Sequence, residues 1–427
     1  MKVLSDPLYR KSFIIMVSSL AGGVLNYLFN PFVARLLTAS QYGELLTMFA
    51  ILNVITIPAS TNAIVTTQFV SRYIATGDES ALSGFMRKMY RQVSVISVVL
   101  IVVFLVLMPI MVHFFNFSSS LSLLLLVISI PAAFVSPVVL GIIQGRQQFM
   151  KISVINIASP MVKIIGVFVA MFLGFRLTGV VGILGVGSIV VAFFAYRWSR
   201  GRKFPHDDSA VVPSTRELLN RGTHVLLANI GLILLLNIDL FITKRYLSPD
   251  LAGQYGSVSL LGKAIFFFGG SLALVLFPMV LSRHVKNESS ASIVSKALIA
   301  ISVITAGAVT VFALFGQFIV HMLFGARYLN FSSVLWLTGV VFGLYSILYI
   351  LAMYLLATPS RRFVIPLLGA CAVIPLAFTL GPHTVLFLMY LMALTFSTVI
   401  ILLSLMMRRV RTTRDFIAPI TVIEPPL

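Results

Sequence analysis

The sequence predicts an all-α polytopic membrane protein: twelve transmembrane helices in two parallel six-helix halves, with the N- and C-termini cytoplasmic. Three observations carry this prediction. Apolar runs of about 20 residues, the length a helix needs to cross a bilayer, recur from end to end. Basic residues crowd into every second loop. The stretch 225–283 looks like a second copy of the stretch 13–72.

Composition excludes a soluble domain. Of 427 residues, 59% are hydrophobic and 10% charged, with a mean hydropathy of +1.05; a soluble surface needs roughly 25% charged residues. The formal net charge of +19 is read as basic loops held against an anionic cytoplasmic leaflet, so no nucleic-acid partner is expected. The single cysteine, Cys371, lies in an apolar run. Neither an intrachain disulfide nor a thiolate metal site is available to it.

The first span, 12–34, is too long for a signal-peptide core and no small-residue cleavage site follows it. The others are 42–67, 93–115, 121–144, 152–175, 177–197, 223–246, 253–281, 294–323, 332–357, 362–380 and 384–407. The longest connection, 198–222, contains RGRKFPHDD and reads as a basic cytoplasmic linker. It divides the chain into an N-terminal six-helix bundle (1–197) and a C-terminal one (223–407), with a basic tail at 408–427. Of 31 lysines and arginines, 24 fall at the termini and in the alternate loops on their side. Five (Arg35, Arg176, Lys244, Arg245 and Arg327) fall in the opposite loops. That asymmetry places both termini inside. The external loops are very short, which leaves no extramembrane platform for catalytic groups and argues against a membrane-embedded enzyme.

The internal repeat rests on Gln41-Tyr42-Gly43, ending 28 residues later at Ser71-Arg72, and Gln254-Tyr255-Gly256, ending 26 residues later at Ser282-Arg283. Each copy is a helical hairpin opening a half of even span number, so the repeat is parallel, as in many transporters. Asp239 and Lys263 fall in the second copy; aligning Arg35 with Lys244 puts Asn30 opposite Asp239, so only the second half is expected to carry that charge.

Lys163, Asp239 and Lys263 lie well inside spans, away from their ends. Lys163 is about 16 Å deep at 1.5 Å per residue, where a cation costs roughly 2.5–3.5 kcal/mol. Its helical neighbours Asn156, Ser159 and Gly166 form a polar-to-small stripe suited to a cavity wall; the alternative is a structural carboxylate partner. Asp239 and Lys263 lie at similar depths. Either they form one buried ion pair that locks two helices, or Asp239 titrates or binds a cation and couples transport to a proton or sodium gradient. Ser19, Gly23, Asn26 and Asn30 line one face of span one, and Asn53, Ser60 and Thr67 one face of span two. Such stripes suit a sugar-contacting wall and equally suit interhelical hydrogen bonds. Gly182, Gly185 and Gly187 sit in an apolar span with no strand context, so they are assigned to helix packing rather than nucleotide binding. The histidines are scattered and no Walker motif occurs, so no cofactor or metal is expected.

The Arg35-Leu-Leu-Thr run followed by Gln41-Tyr42-Gly43 resembles the polysaccharide-biosynthesis flippases of the multidrug, oligosaccharidyl-lipid and polysaccharide exporter superfamily. The resemblance extends to Asn237-Ile-Asp239, Ala252-Gly253-Gln254-Tyr255, Leu276-Phe277-Pro278 and Leu323-Phe324-Gly325 with Tyr328. It implies a MATE-like arrangement in the cytoplasmic membrane and alternating access for a polyprenyl-pyrophosphate-linked oligosaccharide. A polymerase and glycosyltransferases are the implied protein partners. On this reading Lys163 and Lys263 meet the pyrophosphate, Arg35, Lys244, Arg245 and Arg327 form an external basic rim, and Asn26 and Asn53 contact sugar. A drug or cation antiporter of the same fold is the alternative.

Overall fold

The structure is a computed structural model that describes residues 7–199, 215–285, 291–356 and 361–412. The described residues are almost entirely helical and contain no strand. They divide into two compact units, Met1–Asn220 and Arg221–Leu427. The linker's centre and most of the basic tail lie outside the described residues.

In the first unit the helices are α1 (Pro7–Leu36), α2 (Ala39–Ile55), α3 (Ile57–Thr76), α4 (Glu79–Phe114), α5 (Ser120–Leu126), α6 (Ser129–Gly145), α7 (Phe149–Phe172) and α8 (Leu177–Ser199). The centre is α6, which packs on α3, α4, α7 and α8. Ile130, Phe134, Val138 and Ile142 follow one another at four-residue steps along it and are fully buried, the spacing that places side chains on one helix face. At the periphery α1 packs on α7.

Two expected single spans are each built from two helices, and proline is the reason. A prolyl nitrogen carries no hydrogen for the carbonyl four residues back. Pro58 stands in the first turn of α3, and the Thr56 hydroxyl donates to the Leu52 carbonyl at 2.9 Å where α2 stops. Pro131 leaves the Val127 carbonyl without its usual donor. The Ile130 N–H takes that oxygen instead at 3.1 Å, and the chain tightens to three-residue hydrogen bonds between α5 and α6.

The connection expected between spans two and three is helical nearly throughout. Gly77, at φ +71° in the left-handed region, closes α3, and the Asp78 carboxylate accepts the Ala81 N–H at 2.9 Å to start α4. The first turns of α4 bury Leu82, Phe85 and Met89, with Phe85 stacked on Phe69 at 5.1 Å. Arg87 and Arg91 stay exposed on the opposite side of those turns. Apolar spacing therefore overrides the polar composition that makes this stretch read as a loop.

The second unit contains α9 (Thr215–Tyr246), α10 (Pro249–Val285), α11 (Ala291–Phe324), a 3-10 stretch (Ala326–Val334), α12 (Leu335–Leu356), α13 (Val364–Leu380) and α14 (Val385–Thr412). Helix α12 is its core, packed on α10, α11 and α14 and buried around most of its circumference. The Tyr345 hydroxyl donates to the Leu232 carbonyl of α9 at 2.7 Å, which satisfies the one polar atom this ring brings into the core. Each of the twelve expected segments falls on helix. Among the described residues, eight helical segments are long and apolar enough to cross a membrane by length and composition.

Candidate functional site

Each unit holds a polar cluster within apolar helices. The first lies between α1 and α7. Lys163 Nζ donates to Asn26 Oδ1 at 3.3 Å, and seven residues earlier on both helices Asn156 Nδ2 donates to Ser19 Oγ at 3.1 Å. The equal seven-residue steps keep both pairs on the same helix faces. Asn30 Nδ2 donates to the Asn26 carbonyl at 3.4 Å, which continues the polar line one turn along α1. Among the described residues the partner of Lys163 is an amide, not a carboxylate. An amide satisfies one ammonium hydrogen and leaves the charge uncompensated.

The second cluster joins α9 and α10. Asp239 is fully buried and Lys263 is 6% exposed. Lys263 Nζ donates to Asp239 Oδ1 at 3.1 Å. The Tyr255 hydroxyl donates to Oδ2 at 2.9 Å, and the Ser259 hydroxyl donates to the same oxygen. Tyr255, Ser259 and Lys263 stand four residues apart, so one face of α10 delivers three donors to one carboxylate. Phe342 of α12 lies under the ammonium at 5.4 Å, within reach of a cation–π contact. The Asp239–Lys263 pair is present, and it is the starting point of both readings: a lock between two helices, or a bond exchanged during transport.

Tyr255 is a partner of Asp239 that the sequence reading misses, although one further turn back from Ser259 reaches it. The two copies of the repeat differ at this point. Thr38 caps α2 with Gln41 in a reciprocal capping box, four residues before Tyr42. Ser248 precedes α10 seven residues before Tyr255. The additional turn sets Tyr255 deeper than Tyr42, at the level of Asp239.

The first copy buries a carboxylate too, at a position other than the one that matches Asp239. Glu44, directly after Gln41-Tyr42-Gly43, is 1% exposed. Its carboxylate accepts the Ser118 N–H and hydroxyl, both at 3.0 Å, which ties α2 to the loop between α4 and α5. The residue sits so near the predicted helix end that its sequence position resembles a loop charge.

Of the proposed external rim, Arg35, Arg245 and Arg327 are exposed, and the Arg245 guanidinium lies 5.8 Å from the Tyr246 ring. Lys244 is 3% exposed, so it does not present its charge at the surface as Arg245 does. Neighbours in sequence on a helix point about 100° apart, and here Arg245 faces out while Lys244 is turned inward. Asn53 is exposed on α2 and belongs to neither cluster. Cys371 Sγ lies 3.5 Å from the Gly231 carbonyl, a packing contact. Among the described residues no group of three or more His, Cys, Asp or Glu is arranged to hold a metal.

No curated protein sequence matches the chain. Solved structures do. A multidrug resistance MATE family transporter of the MOP superfamily, in an inward-facing conformation, superimposes with a TM-score of 0.75 at 12% identity, over 94% of this chain and 99% of its own. The lipid II flippase MurJ, in an inward closed conformation, gives 0.66 at 13% identity, over 93% and 87%. The MATE multidrug transporter DinF-BH gives 0.66 at 14% identity, over 96% and 97%. At these identities the likeness is one of fold. The family model described as polysaccharide biosynthesis protein matches residues 8–284, well over half of the sequence. The chain belongs to the polysaccharide biosynthesis protein family, on a fold it shares with transporters and flippases of the MOP superfamily.

Proposed function

We propose that the protein is a flippase that carries a polyprenyl-pyrophosphate-linked oligosaccharide from the inner to the outer leaflet of the cytoplasmic membrane, for cell-surface polysaccharide synthesis. The reading includes twelve crossings, both termini cytoplasmic, and alternating access between bundles 1–197 and 223–407 joined by the linker 198–222. The observation that carries it is Lys163. A cation within a membrane helix, held by an amide and lined with hydroxyl and amide groups, takes its counter-charge from a ligand. A pyrophosphate supplies that charge and a saccharide matches the neutral polar groups. Arg35, Arg245 and Arg327 receive the head group outside, and Asn53 adds a further polar contact. Lys263 meets the anion only when it leaves Asp239, and that exchange is where a proton or sodium gradient enters. Glycosyltransferases and a polymerase supply and consume the substrate.

The direct assay is reconstitution with a fluorescent polyprenyl-pyrophosphate sugar. Lys163→Ala is expected to lower translocation at least ten-fold while the protein stays folded, because no carboxylate is left unpaired; Lys163→Arg retains more. Unchanged translocation in Lys163→Ala removes the lysine from the site. The second reading, a drug or cation antiporter, draws on the MATE neighbours. It is disfavoured because the carboxylate inside the second unit already holds its own cation, Lys263. Energised efflux of a hydrophobic cation by wild-type proteoliposomes, with no movement of the lipid-linked sugar, would establish it.

A further inference from the structure

Two adjacent glycines in α1 have opposite surroundings. A β-carbon at Gly22 would lie 2.3 Å from the Asn156 backbone oxygen, so the contact of α1 with α7 requires glycine there. A β-carbon at Gly23 would meet nothing within 4 Å, and Gly23 is exposed. A helix-interior glycine is less stable than alanine, and at Gly23 no packing contact compensates for it.

Gly23 does not open onto lipid in the way its apolar neighbours do. The exposed apolar residues of α1 are Val17, Leu20, Val24 and Leu28. Ser19, Gly23 and Asn26 form a second exposed face, about 130° around the helix at 3.6 residues per turn. On α7, the pairing residues Asn156 and Lys163 are turned by a similar angle from its own exposed apolar face. Hydroxyls and amides turned away from the apolar side mark a wetted wall rather than a lipid contact. Gly23 lies between the Ser19–Asn156 pair and the Asn26–Lys163 pair, which are about 10 Å apart along the helices.

We infer that Gly23 is the floor of a saccharide subsite, a notch kept clear for sugar residues between two hydrogen-bonding tiers. This rests on the flippase reading and deepens it. The ligand chemistry follows from the wall: over this length the groups are neutral donors and acceptors matched to hydroxyls, and the one charge, Lys163, is cationic and stands at one end. A carbohydrate chain with a single anionic terminus fits that order. Among the described residues these faces carry no carboxylate to balance a hydrophobic cation.

The test uses proteoliposomes of the full chain and two fluorescent carriers on the same polyprenyl pyrophosphate, one bearing a single sugar and one an oligosaccharide. Gly23→Leu fills the notch. It is expected to lower the ratio of oligosaccharide to single-sugar translocation at least ten-fold, with Gly23→Ala falling by less. Both variants are expected to unfold at or above the wild-type temperature, whereas Gly22→Ala unfolds below it. An unchanged ratio in Gly23→Leu, or equal loss of both carriers, overturns the subsite while leaving the flippase reading intact. Lowered stability of both Gly23 variants overturns it too, since the space is then not open. Wild-type protein that moves neither carrier overturns the flippase reading and this inference together.

Discussion

At the scale of single residues, two lysines within apolar helices are held in opposite ways. Lys163 is held by an amide and keeps its charge available, whereas Lys263 is neutralised by Asp239. Removing one partner of a buried pair leaves the other charged and unpaired, typically at 3–5 kcal/mol, while replacing both with apolar or neutral groups is often neutral. Asp239→Asn and Lys263→Met are therefore each expected to destabilise the protein by roughly 3–5 kcal/mol. The double variant should recover most of that loss in thermal unfolding in detergent. If the pair also couples transport, the folded double variant loses its dependence on an imposed proton or sodium gradient; retained dependence makes the pair a lock between α9 and α10 only. Tyr255→Phe removes one hydrogen bond to a charged oxygen and is expected to cost about 1.5–3 kcal/mol. The sequence reveals that Lys163, Asp239 and Lys263 are charges within membrane helices, because charge within an apolar run is visible in one dimension. It does not reveal which of them is compensated, since that depends on where a side chain 24 or 137 positions away is brought by packing.

At the scale of elements, helix ends and breaks carry the information that periodicity leaves out. Pro58 and Pro131 are visible as residues, yet hydropathy runs through each of them without a gap, and a proline within a span reads as a kink as readily as a break. Glu44 shows a related limit. A carboxylate one turn into α2 serves as an anchor for Ser118 and, through it, for the start of α5. Glu44→Ala leaves the Ser118 N–H and hydroxyl without that acceptor and is expected to lower stability by about 2–3 kcal/mol. Glu44→Gln should recover part of this through the one oxygen an amide retains. Equal stability of Glu44→Ala and wild type would show that the carboxylate has a role other than anchoring.

At the scale of the whole molecule, the disposition of charge makes its own prediction. In a Cys371→Ala background, an impermeant maleimide is expected to label Asn330→Cys in intact cells and Thr76→Cys only after permeabilisation, as both residues are exposed. The reverse labelling would invert the chain in the membrane. The proposed alternating access requires both six-span halves to have one orientation in the membrane. Each unit buries a carboxylate, Glu44 directly after Gln41-Tyr42-Gly43 and Asp239 on the helix before Gln254-Tyr255-Gly256, but to different ends. Glu44 secures a loop, and Asp239 gathers three donors from one helix.

The sequence by itself determined that this is a helical membrane protein and which few charges lie among apolar residues. Hydropathy, loop charge and local repetition are properties of neighbours along the chain, and transfer energies act on each segment almost independently. The tertiary structure alone decided which polar groups meet. It paired Lys163 with Asn26 and Lys263 with Asp239, turned Lys244 inward beside an exposed Arg245, and separated a glycine required by packing from one that faces open space. Those outcomes depend on helix rotation and on contacts between distant segments, and spans that are apolar nearly all round carry little one-dimensional signal of either.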